Sequence, residues 1–271
     1  MNSKVVRDLV KAVVSFALLF GGIWVFITLM PNSWRAKFLD RESSDLISYE
    51  QEIKLGDLMA EVIEAGEVVI ENTALDSAMW VITRRLLNAN ELTEYDYKFV
   101  VLDNPQVNAF AIPGGRIYVF KGLLDLVDTP EELAAVLAHE MGHVEHRHSV
   151  DKLIKEFGIA ILFGISGGED VVLLSDVAES SVSTSFDRKY EKEADQFSLS
   201  LMESAQMSPK HMARVFRKFN KENFAYDERL EFVMTHPHNN SRIKAAMLYE
   251  VEEGFVEKPI DIDWEWLQEQ L

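Results

Sequence analysis

The chain has 271 residues, of which 48% are hydrophobic and 27% are charged, and its formal net charge is -18. This composition is typical of a folded globular protein and excludes wholesale disorder. So negative a chain would repel phosphate backbones, and no nucleic-acid partner is expected. The absence of cysteine excludes a disulfide scaffold, a thiol nucleophile and cysteine-ligated zinc.

Residues 12–30 form an uncharged run of 19 residues rich in Val, Phe, Leu and Ile. At about 1.5 Å per residue, a helix of this length nearly spans a hydrocarbon core of ~30 Å. We predict a single uncleaved transmembrane helix here, between a short N-terminal segment (residues 1–11) and a juxtamembrane linker (residues 31–45). A cleaved signal peptide is the alternative, although no A-x-A site follows the run. Basic residues balance across the run, so charge does not fix its orientation.

The remaining sequence predicts a mostly helical α+β domain over residues 46–250. Helical spacing extends to residue 87, residues 97–101 are rich in β-formers, and two apolar runs, 108–112 and 117–120, flank a Pro-Gly-Gly turn typical of a hairpin. Residues 175–185 are predicted to form a polar loop. The apolar run 157–166 is too short to span a bilayer, which favours a buried helix over a segment lying at the membrane.

A helix start is indicated at residues 129–132. Thr129 is a typical N-cap, Pro130 occupies the first helical position, and Glu132 completes a predicted capping box. The residues that follow carry the chemistry of the chain.

The predicted helix contains H-E-x-x-H at residues 139–143. Residues four apart lie on one face of a helix, so His139 and His143 can bind one ion, about 2.0–2.1 Å from each nitrogen. Glu140 is angled to reach a water on that ion, where it would act as general base. The motif therefore predicts one catalytic zinc ion per chain.

Two histidines and a water leave a catalytic zinc one protein ligand short. The metzincin pattern fails because Ser149 stands where that pattern needs histidine. Glu191 and Asp195 are four apart and share a helix face, whereas Glu193 is rotated away from Glu191. We predict Glu191 as the third ligand and Asp195 as acceptor for the free N–H of a ligating histidine, with Glu193 as the alternative ligand.

Four motifs occur in a characteristic order: N-A-F-A-I-P-G-G at 108–115, A-H-E-M-G-H-V at 138–144, E-K-E-A-D at 191–195, and T-H-P at 235–237 followed by Arg242. Together they resemble the gluzincin family that includes the CaaX prenyl proteases, HtpX, BepA and the mitochondrial Oma-type stress proteases. The resemblance implies a zincin fold. It also implies that His236 occupies a fourth coordination position at rest or donates to the oxyanion during reaction, accompanied by Arg242.

The resemblance further implies that a substrate lies extended along an exposed strand edge, so that its backbone is read. The implied substrate-binding residues are Asn108, Ala109, Phe110, Ala111 and Ile112. The expected function is that of a zinc metalloendopeptidase acting on unfolded or damaged membrane and envelope proteins, as protein quality control. Its domain is expected outside the cytoplasm, at a bacterial inner membrane facing the periplasm or, alternatively, at the mitochondrial inner membrane. A non-catalytic chaperone-like module and a zinc aminopeptidase are the rival functions.

Residues 251–271 form an acidic C-terminal segment that contains Trp264 and Trp266. Two tryptophans are more apolar surface than a free tail normally exposes, so this segment is expected to dock on the domain. A further hypothesis is that it restrains access to the active-site groove. Of the remaining histidines, His148 is expected to pack at a helix end.

Overall fold

The computed structural model describes residues 43–89, 92, 95–158, 171–183, 185–219, 232, 235–236 and 240–271. Residues 46–271 group into one structural unit, separate from residues 1–45. The predicted anchor at 12–30, the segment 1–11 and most of the linker 31–45 lie outside the described residues, as does most of the apolar run 157–166. Within the described ranges, no helix is long and apolar enough to cross a membrane.

Helices dominate the described part of the chain. After a short 3-10 helix at Ser43–Leu46, they are α1 Tyr49–Gly66, α2 Thr73–Leu87, α3 Lys121–Leu126, α4 Pro130–Glu145, α5 His148–Phe157, α6 Val171–Ser183, α7 Arg188–Ser204, α8 Lys210–Phe219, α9 Asn240–Leu248 and α10 Trp264–Glu269. The polar loop predicted over 175–185 is wrong, because α6 runs through most of it. Its Leu174, Val177 and Ala178 form a buried apolar face, and Ser180 and Ser181 are buried as well.

Within the described residues the sheet has three strands, β1 Lys98–Leu102, β2 Ala109–Ile112 and β3 Arg116–Phe120, in the order β1-β3-β2. Strands β2 and β3 form the predicted antiparallel hairpin, and β1 pairs with β3 in parallel. Gly114 and Gly115 close the hairpin with φ of 84° and 87°, a left-handed conformation that favours glycine. The predicted combination of a mostly helical domain with a small sheet is confirmed.

The sheet separates two apolar cores. Ala109 and Ala111 of β2 face the core built around α4, whereas Phe110 and Ile112 face a second core formed with α1 and α6. This alternation is the period of two that a strand imposes on its side chains. Residues 130–144 of α4 are buried, and the helix packs against α7, α8, α2 and β2. Polar side chains on so buried a helix need partners, and those partners define the candidate site.

The start of α4 differs in one detail from the prediction. Thr129 caps the helix by accepting a hydrogen bond from the Glu132 amide at 3.3 Å, and Pro130 is the first helical residue. The carboxylate of Glu132, however, accepts from the amide of Asp128 at 2.9 Å and from Lys218 Nζ at 2.6 Å. The reciprocal half of the capping box is therefore replaced by an ion pair with α8.

The C-terminal segment docks at the start of α4. Trp264 is buried and donates from Nε1 to the Val127 carbonyl at 2.9 Å, and the Ile260 amide donates to Glu131 at 2.6 Å. The predicted docking is confirmed. Glu131 precedes His139 by about 12 Å of helix. These two contacts lie at the opposite end of α4 from H-E-x-x-H, and other contacts of the segment reach Gln206, Ser208 and His211. None of these contacts supports a restraint on the groove.

Candidate metal centre

Four buried side chains converge where α4, α7 and the segment around residue 236 meet. They are His139, His143, Glu191 and His236, and each offers a ligand atom within 4.8 Å of the others. Nε2 of His139 lies 3.2 Å from Nε2 of His143 and 3.3 Å from Nδ1 of His236. Oε1 of Glu191 lies 2.9 Å from Nδ1 of His236 and 3.4 Å from Nε2 of His143.

These separations test whether the four residues fit a metal ion. Ligand atoms bound at 2.0–2.1 Å around a tetrahedral ion lie about 3.3–3.4 Å apart. The separations quoted above, 2.9–3.4 Å, are close to that value. The donor set of three imidazoles and one carboxylate therefore fits one tetrahedral divalent cation.

A close approach between α4 and α7 brings Glu191 to the two histidines of α4. A Cβ placed on Gly142 would lie only 2.9 Å from the Cα and 3.0 Å from the carbonyl oxygen of Ala194. Only a glycine at this position allows the two backbones to pack so tightly. The glycine inside H-E-x-x-H thus sets the distance between the helices that carry the ligands.

A carboxylate and a guanidinium support the cluster from behind. Oδ1 of Asp195 lies 3.1 Å from Nδ1 of His139, the placement expected for the acceptor of the free histidine N–H. Arg242 donates to both oxygens of Asp195 at 2.7 Å and contacts Oε2 of Glu191 at 2.5 Å. Burial opposes ionisation of Asp195, but hydrogen bonds from His139 and Arg242 outweigh it and lower its pKa. The donors of Arg242 are therefore directed at the carboxylates of Asp195 and Glu191, whereas the resemblance implied that Arg242 accompanies His236 at the oxyanion.

Glu140 lies beside the cluster and outside it. Its side chain is fully buried, and Oε2 accepts a hydrogen bond from the Ala111 amide at 3.1 Å. Oε1 lies 3.5 Å from Nε2 of His236, and neither atom has a hydrogen-bond partner among the described residues. Burial raises the pKa of Glu140 and lowers that of His143. These shifts favour a proton-accepting carboxylate and a neutral, ligand-ready imidazole.

Strand β2 borders the cluster, but its edge is not exposed. All four of its residues are buried, and the Ala111 carbonyl accepts from the Ser149 hydroxyl at 2.9 Å. The expectation of an exposed strand edge is therefore wrong for this structure, since Glu140 and Ser149 engage the edge and α6 packs on the same strand. Asn108 precedes β2, and both polar atoms of its buried side chain lack a partner within the described part of the chain.

Comparison with known proteins agrees with this geometry. Residues 76–249 match the model described as "Peptidase family M48". The chain belongs to peptidase family M48. This membership confirms the resemblance drawn from the four motifs and the predicted class of enzyme, a metallopeptidase.

Several curated relatives of this M48 chain carry more specific names. "Mitochondrial metalloendopeptidase OMA1" of Schizosaccharomyces pombe is 28% identical over 233 residues, covering 83% of this chain and 67% of the relative. "Beta-barrel assembly-enhancing protease" of Yersinia pestis is 27% identical over 214 residues, covering 74% and 44%. The OMA1 of Arabidopsis thaliana is 33% identical over 163 residues, covering 57% and 32%. The chain thus spans about two thirds of the yeast protein and less than half of the other two.

Two phenylalanines that belong to none of the sequence motifs line the M48 centre. The Phe232 ring stacks on His236 with centroids 4.4 Å apart, and the Phe186 ring stacks on His143 at 4.0 Å. Both lie near the family motifs but outside them, so their role follows from the fold alone. They make one wall of the centre apolar.

His148 and Glu193 also contribute to the M48 centre. His148 begins α5 and packs on Tyr190 with ring centroids 4.3 Å apart, as expected for a helix-end residue. Beyond that expectation, its Nδ1 lies 3.1 Å from Nδ1 of His143, and its Nε2 lies 3.3 Å from Oε2 of Glu193. Glu193, the alternative ligand, therefore lies behind His148, while Glu191 lies in the cluster.

Proposed function

We propose that this chain is a zinc-dependent metalloendopeptidase. The observation that carries the proposal is the group of four ligand atoms at near-tetrahedral separations, with Glu140 directly beside it. Zinc is the metal of choice for a tetrahedral site built from histidine and carboxylate ligands. One ion per chain satisfies the cluster.

We assign the reaction steps to the residues around this centre. A bound zinc would act as a Lewis acid that polarises the scissile carbonyl and lowers the pKa of its water toward neutral pH. Glu140 takes the proton of the attacking water and delivers it to the leaving amine. The Ala111 amide holds Oε2 of Glu140 at 3.1 Å, which leaves Oε1 to face the reacting atoms. The buried surroundings keep that carboxylate basic enough for the transfer.

His236 has two roles in this proposal. Its Nδ1 belongs to the ligand cluster, so with a metal bound His236 would be the fourth protein ligand of a resting state. A catalytic zinc site keeps three protein ligands and one open position. We propose that His236 leaves the cluster when substrate arrives and then donates a hydrogen bond to the oxyanion. Arg242 positions Glu191 and Asp195, because its donors are directed at those two carboxylates.

We propose that the substrate is an unfolded or damaged polypeptide of a membrane or envelope, bound extended beside β2. The unpartnered amide of Asn108 supports this placement, since it can donate to and accept from a peptide backbone. The substrate backbone would pair with the strand formed by Ala109, Phe110, Ala111 and Ile112. Binding must displace the Ser149 hydroxyl from the Ala111 carbonyl, while the Ala111 amide keeps its hydrogen bond to Glu140. Quality control is consistent with the names of the relatives, one a mitochondrial metalloendopeptidase and another a β-barrel assembly-enhancing protease.

The proposed enzyme is anchored by residues 12–30 and exposes residues 46–250 as the peptidase domain, with 251–271 docked on it. The length and apolar character of the first run support the anchor. We propose that the domain faces the periplasm of a bacterial envelope or, as the alternative, lies at the mitochondrial inner membrane. Protease added to intact spheroplasts should digest the domain; digestion only after lysis would reverse the orientation.

Metal content and peptide cleavage, measured on the same samples, test the proposed chemistry. Glu140→Gln should keep near-stoichiometric zinc while cleavage falls at least about 10²-fold. Glu191→Gln should lose zinc together with activity. Equal zinc loss in the two variants would contradict the assignment. The substrate is an internally quenched peptide blocked at both ends, because an aminopeptidase would leave it intact and a chaperone-like module would cleave no peptide at all.

A further inference from the structure

The two ligating histidines of α4 have different partners behind them. Nδ1 of His139 faces the carboxylate of Asp195 at 3.1 Å, which is the usual arrangement for a metal-bound imidazole. Nδ1 of His143 instead faces Nδ1 of another imidazole, that of His148, at 3.1 Å. Nε2 of His148 in turn faces Oε2 of Glu193 at 3.3 Å.

Counting protons along this row fixes the direction of each hydrogen bond. His143 directs Nε2 into the ligand cluster, so as a neutral ligand it carries its proton on Nδ1. Nδ1 of His148 must then be unprotonated, so that it can accept a hydrogen bond from the Nδ1–H of His143. The proton of a neutral His148 then lies on Nε2, and this N–H donates a hydrogen bond to Oε2 of Glu193. Each contact in the row is satisfied by this single assignment.

We infer that His148 and Glu193 form a positioning relay that fixes the tautomer and orientation of His143 and thereby strengthens metal binding. The inference rests on the proposed function, since it gives these residues a role toward the metal. His148 suits the role because it is 2% exposed and its ring is stacked on Tyr190, with an interplanar angle of 18°. Its position at the start of α5, directly after the left-handed Arg147, directs the ring back toward α4.

Zinc affinity of the full-length protein in detergent tests the relay. Loss of a residue that orients a metal ligand typically weakens binding by 10–100-fold. His148→Phe keeps an aromatic ring for Tyr190 but removes the acceptor, so its zinc Kd should rise by about that factor. His148→Asn keeps an acceptor near Nδ1 and should recover most of the affinity. Glu193→Gln should raise the Kd less, because an amide oxygen still accepts the proton.

The control is His211, a buried histidine outside the ligand cluster whose Nε2 lies 2.8 Å from Oε1 of Glu257. His211→Phe should leave the zinc Kd unchanged, and the melting temperature of each metal-free variant separates packing from metal binding. A zinc Kd within twofold of wild type in His148→Phe, or an equal loss in His148→Phe and His148→Asn, would overturn the relay alone. A wild-type protein that binds no zinc would overturn the proposed function and the relay with it.

Discussion

Replacing Gly142 by alanine should separate the two helices that carry the metal ligands. The added Cβ would lie 2.9 Å from the Cα and 3.0 Å from the carbonyl oxygen of Ala194, both backbone atoms that cannot rotate away. Carbon atoms in comfortable contact are about 3.5–4.0 Å apart. Relief therefore requires α4 and α7 to move apart by roughly 0.6–1 Å at this point.

That displacement is large for a metal site. Metal–ligand distances are specified to about ±0.2 Å, and Glu191 on α7 must meet two histidines on α4. Gly142→Ala should therefore raise the zinc Kd at least about tenfold, comparable with the loss of a supporting contact. Overpacking of this kind also costs about 1–3 kcal/mol of folding free energy.

Isothermal titration with zinc and denaturant unfolding of the metal-free protein measure the two effects. Gly66→Ala is the matched control, since no atom lies within 4 Å of the Cβ that it would add at the end of α1. The control should bind zinc as the wild type does. Wild-type affinity and stability in Gly142→Ala would refute the reasoning, because the helices would then have room that the structure does not give them.

Two further predictions concern Arg242 and the docked C-terminal segment. Arg242→Lys should weaken zinc binding about tenfold, because a point charge cannot replace the paired hydrogen bonds to Asp195; titration with zinc measures the loss, and unchanged affinity would remove the positioning role. Burial opposes ionisation of Glu257, but hydrogen bonds from His211 and the Ser208 amide outweigh it and lower its pKa. Its stabilising effect is therefore present above the unfolded pKa of about 4.3 and lost as pH falls through the folded value. Glu257→Gln should lower the melting temperature more at pH 6 than at pH 3, and a loss independent of pH would contradict the pairing.

The sequence indicated much of the fold because its signals are local. The hairpin followed from alternating residues around Gly114 and Gly115, and the start of α4 followed from Thr129 and Pro130. The loop predicted over 175–185 was wrong because serines dominate that sequence, whereas Leu174 and Val177 determine its burial. Local composition does not show which face of a segment meets the sheet.

The candidate site divides in the same way between local and non-local signals. Spacing on one helix predicted His139 and His143, and family motifs pointed to His236. The row from His143 through His148 to Glu193 escaped sequence analysis because it joins three helices, α4, α5 and α7. Its members are brought together by tertiary packing, for which a single sequence carries no period.

The most direct test of the metal centre is X-ray diffraction from crystals of the zinc-loaded protein, recorded on both sides of the zinc absorption edge. We predict one anomalous peak per chain, about 2.0–2.2 Å from the ligand atoms of His139, His143 and Glu191. His236 should supply the fourth ligand in the resting state. A peak elsewhere, or one ligated by Glu193 in place of Glu191, would contradict the proposed centre.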